Sequence, residues 1–261
     1  MPVNWLLEAR KWQLLISKLE PISLWIAVKA ILSGITLGVI TPYRVGDYAG
    51  RLIVLRKAEP IQAVAVTLVG NFAQIIVTVI AGLASVISYL FLFEHVAGYW
   101  LVLICLGSVL ITYIIIDLYF RINLTVNFLK RFSIYKKIGH YVEVFEKYNH
   151  KELVMLLLLS AMRYVVFAAQ YLLLLSMFGI QIQLFTSIIL VGTLFIIQAI
   201  VPIELWIRGN LALFIFSPFS NNSLGVLSAS LVLWLINLIV PAIAGSVIIF
   251  NNNNVSKNRG E

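Results

Sequence analysis

Charge is what this chain lacks most: only 11% of its 261 residues are charged, while 61% are apolar. A soluble domain averages about 25% charged and about 45–50% apolar, so an ordinary soluble enzyme and a disordered chain are both excluded. Cysteine is almost absent. The lone Cys105 sits inside an apolar run, which rules out a disulfide scaffold. The three histidines, His95, His140 and His150, are scattered without metal-ligand spacing or an HExxH pattern. Nothing reads as a Walker A loop either, so no catalytic residue, metal or cofactor is expected. What the chain does have is apolar sequence in long runs, with a mean hydropathy of +0.99. It is an integral membrane protein. The net charge of +8 fits basic segments beside anionic lipid and gives no reason to expect nucleic acid.

A helix needs about 20 apolar residues to cross about 30 Å of hydrocarbon. Six runs meet or approach that length: 22–40, 61–92, 97–119, 152–178, 184–201 and 223–250. Barrel strands would alternate over about 10 residues, so the fold class is all-α, a polytopic membrane helical bundle spanning 1–250. Residues 3–19 place Trp5, Trp12, Ile16 and Leu19 opposite Asn4, Glu8, Lys11 and Lys18, the pattern of an interfacial helix within 1–21. Residues 133–149 repeat it, with Ile134, Ile138, Tyr141 and Phe145 opposite Lys136, Lys137, Glu143 and Lys147. Segments 42–58 and 203–217 are too short to span, and each starts at a proline and carries charge, as half-membrane or re-entrant helices would. The polar, low-complexity tail 251–261 is expected to be disordered.

Lysine and arginine collect in 43–60 and in the basic loop 120–151, whereas the connectors 93–97 and 179–183 contain neither. The positive-inside bias therefore expects both basic segments in the cytoplasm and the connectors outside, in a multi-pass protein of a bacterial-type inner membrane. The stretch 1–21 is also basic, through Arg10, Lys11 and Lys18. If 22–40 spanned fully, that stretch would have to lie outside; a re-entrant path would remove the conflict, and both routes stay open. No signal peptide is expected, since Met1 opens directly on a polar and apolar mixture.

Polar side chains inside spans face the bundle interior or a wet cavity. Three spans each carry a one-sided polar stripe. Thr67, Asn71, Gln74 and Thr78 lie on one; Ser160, Arg163, Tyr164, Gln170 and Tyr171 on the next; Ser230, Trp234, Asn237 and Pro241 on the last. The bland reading is interhelical glue at about 0.6–2 kcal/mol per bond; the functional one is a groove lined by Asn71, Gln74, Tyr164, Gln170 and Asn237. Arg163 stands apart. It lies about twelve residues into its span, where an unpaired cation costs at least about 2.5–3.5 kcal/mol.

Two short segments concentrate the remaining charge. In 41–51, Thr41 can cap and Pro42 can open a helix. Asp47 is then flanked by Arg44 and Arg51, while Gly46 and Gly50 form a small-residue face for close approach. In 202–209, Glu204 and Arg208 stand at i, i+4. Either segment reads as an internally neutralised interfacial helix, or as part of a site that uses arginines for phosphate and carboxylates for a counter-charge.

These segments also carry a resemblance. TPxRxGDYxGR at 41–51, SxxRYxVFxxQY at 160–171, PxExxxRG at 202–209 and WxxNLxxPAxxGS at 234–246 resemble the lysylphosphatidylglycerol synthase transmembrane, or flippase-like, family. The resemblance covers nearly the whole chain and implies a polytopic inner-membrane protein. In multiple-peptide-resistance members this domain is implicated in moving aminoacylated phosphatidylglycerol between leaflets. The aminoacyl-transferase domain of synthase members is not recognisable here, so lipid aminoacylation does not carry over. Further N-terminal helices usual in the family are also not seen, which suggests a start inside the family's domain.

The leading expectation is a lipid translocator or lipid-binding protein. Its head-group site would use Arg44, Asp47, Arg51, Arg163, Glu204 and Arg208. Its partners would be membrane lipids: anionic or aminoacylated phospholipid, or a polyprenyl-linked lipid. Alternatives are an intramembrane enzyme on lipid head groups, with Asp47 and Glu204 as paired carboxylates, and a structural membrane subunit.

Overall fold

The computed structural model describes residues 1–94, 96–121, 144, 147–200 and 205–257, and all regular structure among them is helical. The helices are α1 (Pro2–Ile16), α2 (Leu24–Ile40), α3 (Gly46–Leu52), α4 (Pro60–Phe93) and α5 (Gly98–Phe120), followed by α6 (His150–Met177), α7 (Leu184–Ile200), α8 (Leu205–Phe216), α9 (Ser223–Trp234) and α10 (Val240–Lys257). Four helical stretches are long and apolar enough to cross a membrane: α4, α5, α6 and the continuous run Ser223–Phe250. The protein is therefore a multi-pass helical membrane protein. The other two apolar runs form the 17-residue helices α2 and α7, at the short limit of what spans. The amphipathic pattern predicted over 133–149 falls largely outside the described residues. The backbone of α10 stays helical through Lys257, further than the composition of the tail predicts. No proline or glycine between Ser246 and Lys257 breaks it.

The chain divides into two compact units. One comprises Met1–Phe72, Arg121–Arg163 and Trp234–Glu261; the other comprises Ala73–Phe120 and Tyr164–Leu233.

In the first unit α2 is the central element, packed by α1, α3 and α10. Backbones approach closely because the contact residues are small. A Cβ added at Gly50 would stand 2.6 Å from the Cα of Gly34, and one at Gly46 would stand 2.6 Å from the carbonyl carbon of Leu37. The small-residue face predicted for Gly46 and Gly50 therefore meets a matching face on α2. On another side, Thr36 Oγ1 donates across to the carbonyl of Ala242 at 2.8 Å.

Between α2 and α3 the chain reverses in three residues, a 3₁₀ turn at Pro42–Arg44. The sequence predicts helix from Pro42; the helix begins instead at Gly46. Thr41 is held on the end of α2 through Leu37 O at 2.9 Å and accepts from Gly46 N at 2.7 Å. A continuous helix cannot make that reversal, so Tyr43 and Arg44 take φ of 52° and 58°. Left-handed backbone at two non-glycine residues costs on the order of 1–3 kcal/mol each. The hairpin closes at its other end too. Glu20, just before α2, accepts the backbone N–H groups of Arg56, Lys57 and Ala58, just after α3, at 2.8–3.1 Å. Both flanks of α2–α3 thus meet.

The second unit has its own core, in which Tyr171 of α6, Leu190 and Leu194 of α7, Phe216 of α8, and Val226 and Ala229 of α9 are buried together. The polar stripe on α6 feeds it one hydrogen bond, Tyr171 OH to Ser230 Oγ at 2.7 Å.

Candidate functional site

Asn4, Glu8 and Lys11 recur at helical spacing on one face of α1. The sequence reads that face as polar and wet. The structure turns it inward: all three side chains are buried, with Trp12 and Ile16 beside them. Carboxylates and lysines are almost never buried unless paired, and here the partners arrive from α3 and α6.

Glu8 is the hub. Its Oε1 accepts from Arg51 Nη1 at 3.2 Å; its Oε2 accepts from Arg163 Nη1 at 2.9 Å and lies 2.8 Å from Lys11 Nζ. Three cations share one carboxylate. Arg51 also forks onto Asp47, Nη2 to Oδ2 at 2.9 Å and Nε to Oδ1 at 3.2 Å, the two-point geometry that suits guanidinium and carboxylate. Arg163 donates from Nε to Asn4 Oδ1 at 2.9 Å, and Asn4 Nδ2 donates to Asn237 Oδ1 at 3.2 Å. Asn237 lies in a π-helical turn, Leu235–Ile239. Pro241 follows at Asn237 + 4 and has no N–H to return to the preceding turn, so a widened turn fits the local sequence.

Electrostatics explains how so much charge stays buried. Burial alone would raise the Glu8 pKa, but Lys11, Arg163 and Arg51 together overcome it and hold the carboxyl far below its ordinary range. Lys11 moves the opposite way. Burial, with Arg163 and Arg51 adding to it, outweighs the attraction of Glu8 and pushes its pKa down to about 8. The side chain of Lys11 is 2% exposed and that of Arg163 is 30% exposed, so the cluster is closed at Lys11 and open at Arg163. Arg44, exposed on the strained turn, sits beside Asp47 and senses Arg163.

The sequence nominates six head-group residues, and the structure gathers four of them: Arg44, Asp47, Arg51 and Arg163 belong to this cluster in the first unit. Arg208 belongs to α8 in the second unit, and Glu204 lies outside the described residues. The proposed groove lining divides likewise. Asn237 joins the cluster and Asn71 donates to Tyr48 OH at 3.0 Å in the first unit; Gln74, Tyr164 and Gln170 belong to the second. There Tyr164 packs edge-on against Phe195, and Gln170 Oε1 is buried without a hydrogen-bond partner.

Sequence reasoning missed Asn4, Glu8 and Lys11 as site residues. The available signal was their i, i+4, i+7 spacing together with an intramembrane Arg163 in need of an anion; Glu8 supplies it. Among the described residues, no group of three or more His, Cys, Asp and Glu side chains is arranged to hold a metal ion.

Comparison with known protein families gives a match over most of the chain. The lysylphosphatidylglycerol synthase TM region family matches residues 1–250 of the 261-residue chain. No curated protein and no solved structure matches. With almost its whole length covered, the chain belongs to the lysylphosphatidylglycerol synthase transmembrane-region family.

Proposed function

We propose that this membrane protein of a lipid-related family binds the polar head group of a membrane lipid at the Glu8 cluster and carries it between leaflets. The observation that supports this reading most is the grading of the cluster, buried at Lys11 and open at Arg163. Holding charge in a low-dielectric setting costs several kcal/mol per ion even after relaxation. A purely structural subunit would reach the same packing more cheaply with apolar side chains of similar volume. A polar chamber at membrane depth lets a head group shed water while its acyl chains remain in lipid. The protein is a carrier and no enzyme in this reading, set in a bacterial-type inner membrane.

Reconstituted vesicles loaded with a fluorescent lipid test this, using a membrane-impermeant quencher to follow head-group accessibility. Wild-type protein should expose inner-leaflet probe to the quencher, and Arg163→Ala should slow the exchange at least tenfold. Exchange unchanged in Arg163→Ala would remove the cluster from the path. Chemical conversion of the lipid, followed by mass, would replace the carrier with the enzyme reading.

A further inference from the structure

The long run Ser223–Phe250 is α-helical except at one turn. At Leu235–Ile239 it widens to a π-helix, closed by the N–H of Val240 on the carbonyl of Leu235, five residues back. Such turns are rare and frequently occur at functional sites. An α-helical register would pair the carbonyl of Asn237 with the N–H of residue 241, and Pro241 has none. The proline permits a widened turn but does not decide where its side chains point. Relative to an unbroken α-helix, the extra residue turns side chains by up to about 100°. Within the first unit, Asn237 is thereby directed at Asn4 of α1.

Between Asn237 and Arg163 stands one amide. Arg163 Nε donates to Asn4 Oδ1 at 2.9 Å, and Asn4 Nδ2 donates to Asn237 Oδ1 at 3.2 Å. The direction of this chain is forced. A guanidinium has donors only, so Asn4 must turn its oxygen to Arg163 and its NH2 group away. Asn4 is 2% exposed, and a buried donor left without an acceptor is destabilising. Asn237 Oδ1 is the acceptor. Turned over, Asn4 would set its NH2 group against the guanidinium, donor to donor. Arg163 Nη1 meanwhile donates to Glu8 Oε2 at 2.9 Å. Bonds at two nitrogens of a planar group fix its plane, and the Arg163 side chain is 30% exposed, at the open end of the cluster.

We infer that Asn237 is a positioning residue: through Asn4 it sets the plane in which Arg163 meets the head group, and the π-helical turn aims Asn237 at Asn4. The part Arg163 plays in lipid exchange rests on the head-group reading; its orientation by Asn237 does not.

Phenylglyoxal, which adds to guanidinium groups, tests the orientation directly. The full chain is labelled in detergent, each modified arginine is quantified by peptide mass, and Arg163 is normalised to the exposed Arg56. Asn237→Leu nearly keeps the volume and removes the acceptor. Labelling of Arg163 should rise about fivefold, as loss of one hydrogen bond implies. Asn237→Asp still accepts and should label as wild type does. The decisive background is Asn4→Asp, whose carboxylate accepts from Arg163 with either oxygen and needs nothing to orient it. There, adding Asn237→Leu should leave Arg163 labelling unchanged. No rise with Asn237→Leu alone, or the same rise in both backgrounds, would overturn the inference. The Arg51 side chain, 7% exposed, monitors the cluster itself. Arg51 labelling that rises in step with Arg163 would make Asn237 a packing residue and overturn the inference too. In reconstituted vesicles, Asn237→Leu should slow lipid exchange, and Asn237→Asp should not. Labelling that follows the expected pattern while exchange keeps its wild-type rate would uphold the positioning and count against the head-group reading alone.

Discussion

At the scale of single residues the cluster is asymmetric in what each deletion leaves behind. Removing the Glu8 charge leaves Lys11, Arg51 and Arg163 facing one another, whereas removing Lys11 leaves Glu8 with two guanidinium partners. Breaking a buried ion pair by deleting one partner costs about 3–5 kcal/mol, so Glu8→Gln should unfold the protein in detergent far more readily than Lys11→Met, which should lie near wild type. Equal losses in a thermal unfolding series would contradict the hub assignment. The depressed pKa of Lys11 adds a second expectation. The unfolded chain holds that proton up to the ordinary lysine range while the folded one releases it near 8. Between those two values the unfolded state binds more protons, so stability should rise with pH across that window and stay flat with respect to Lys11 below it. Lys11→Met should abolish the rise. These roles were only half legible in the sequence. Arg163 announces itself, because a cation in mid-span is costly without a partner. Glu8 and Lys11 do not. A polar helix face meets either water or counter-charge, and the counter-charges here lie 43 and 155 residues away along the chain.

At the scale of elements, the α2–α3 hairpin positions Asp47 and Arg51, and its glycines set how closely it folds. Gly50→Val would drive a branched side chain into the backbone of Ser33 and Gly34. Overpacking typically costs about 1–3 kcal/mol even where side chains can shift, and backbone shifts less readily. Gly50→Val should therefore cost at least about 3 kcal/mol, and lipid exchange should fall with it. Gly107, with nothing within 4 Å of its Cβ position, provides the control: Gly107→Val should change neither. The small-residue face was readable from spacing alone, but the reversal at Pro42–Arg44 was not. A cap and a proline suit both a helix start and a tight turn, and the choice depends on Thr41 being tied to Leu37. The second unit contains a related arrangement. Ile31-Leu32-Ser33-Gly34 in α2 has a counterpart in Ile189-Leu190-Val191-Gly192 of α7, and each helix has 17 residues and is followed by a proline, Pro42 or Pro202.

At the scale of the whole molecule, the question the sequence left open was whether 22–40 crosses the membrane. The four long helical runs were legible because length and hydropathy are enough to recognise them. The path of α2 was not, because 17 apolar residues satisfy either route. Contacts in the first unit favour the re-entrant route. Glu20 before the hairpin holds the backbone at 56–58 after it. Lys18 is ion-paired with Glu152 at the start of α6, and Tyr148 OH donates to Leu15 O at 2.6 Å. The end of α1, the end of the hairpin and the start of α6 therefore lie together, and a hairpin whose two ends meet is expected to enter and return without crossing. On that route the basic N-terminal stretch would not oppose the positive-inside bias, since it would share a side with Arg56, Lys57 and Lys151. Single cysteines placed in a Cys105→Ser background make this measurable. Ser17→Cys, Lys57→Cys and Lys151→Cys should all resist an impermeant thiol reagent in intact cells and react after permeabilisation. Val96→Cys and Gln181→Cys, in connectors without basic residues, should react in intact cells. Labelling of Ser17→Cys from outside, with Lys57→Cys protected, would mean that α2 crosses the bilayer, and the hairpin would then have to open for the Glu8 cluster to assemble.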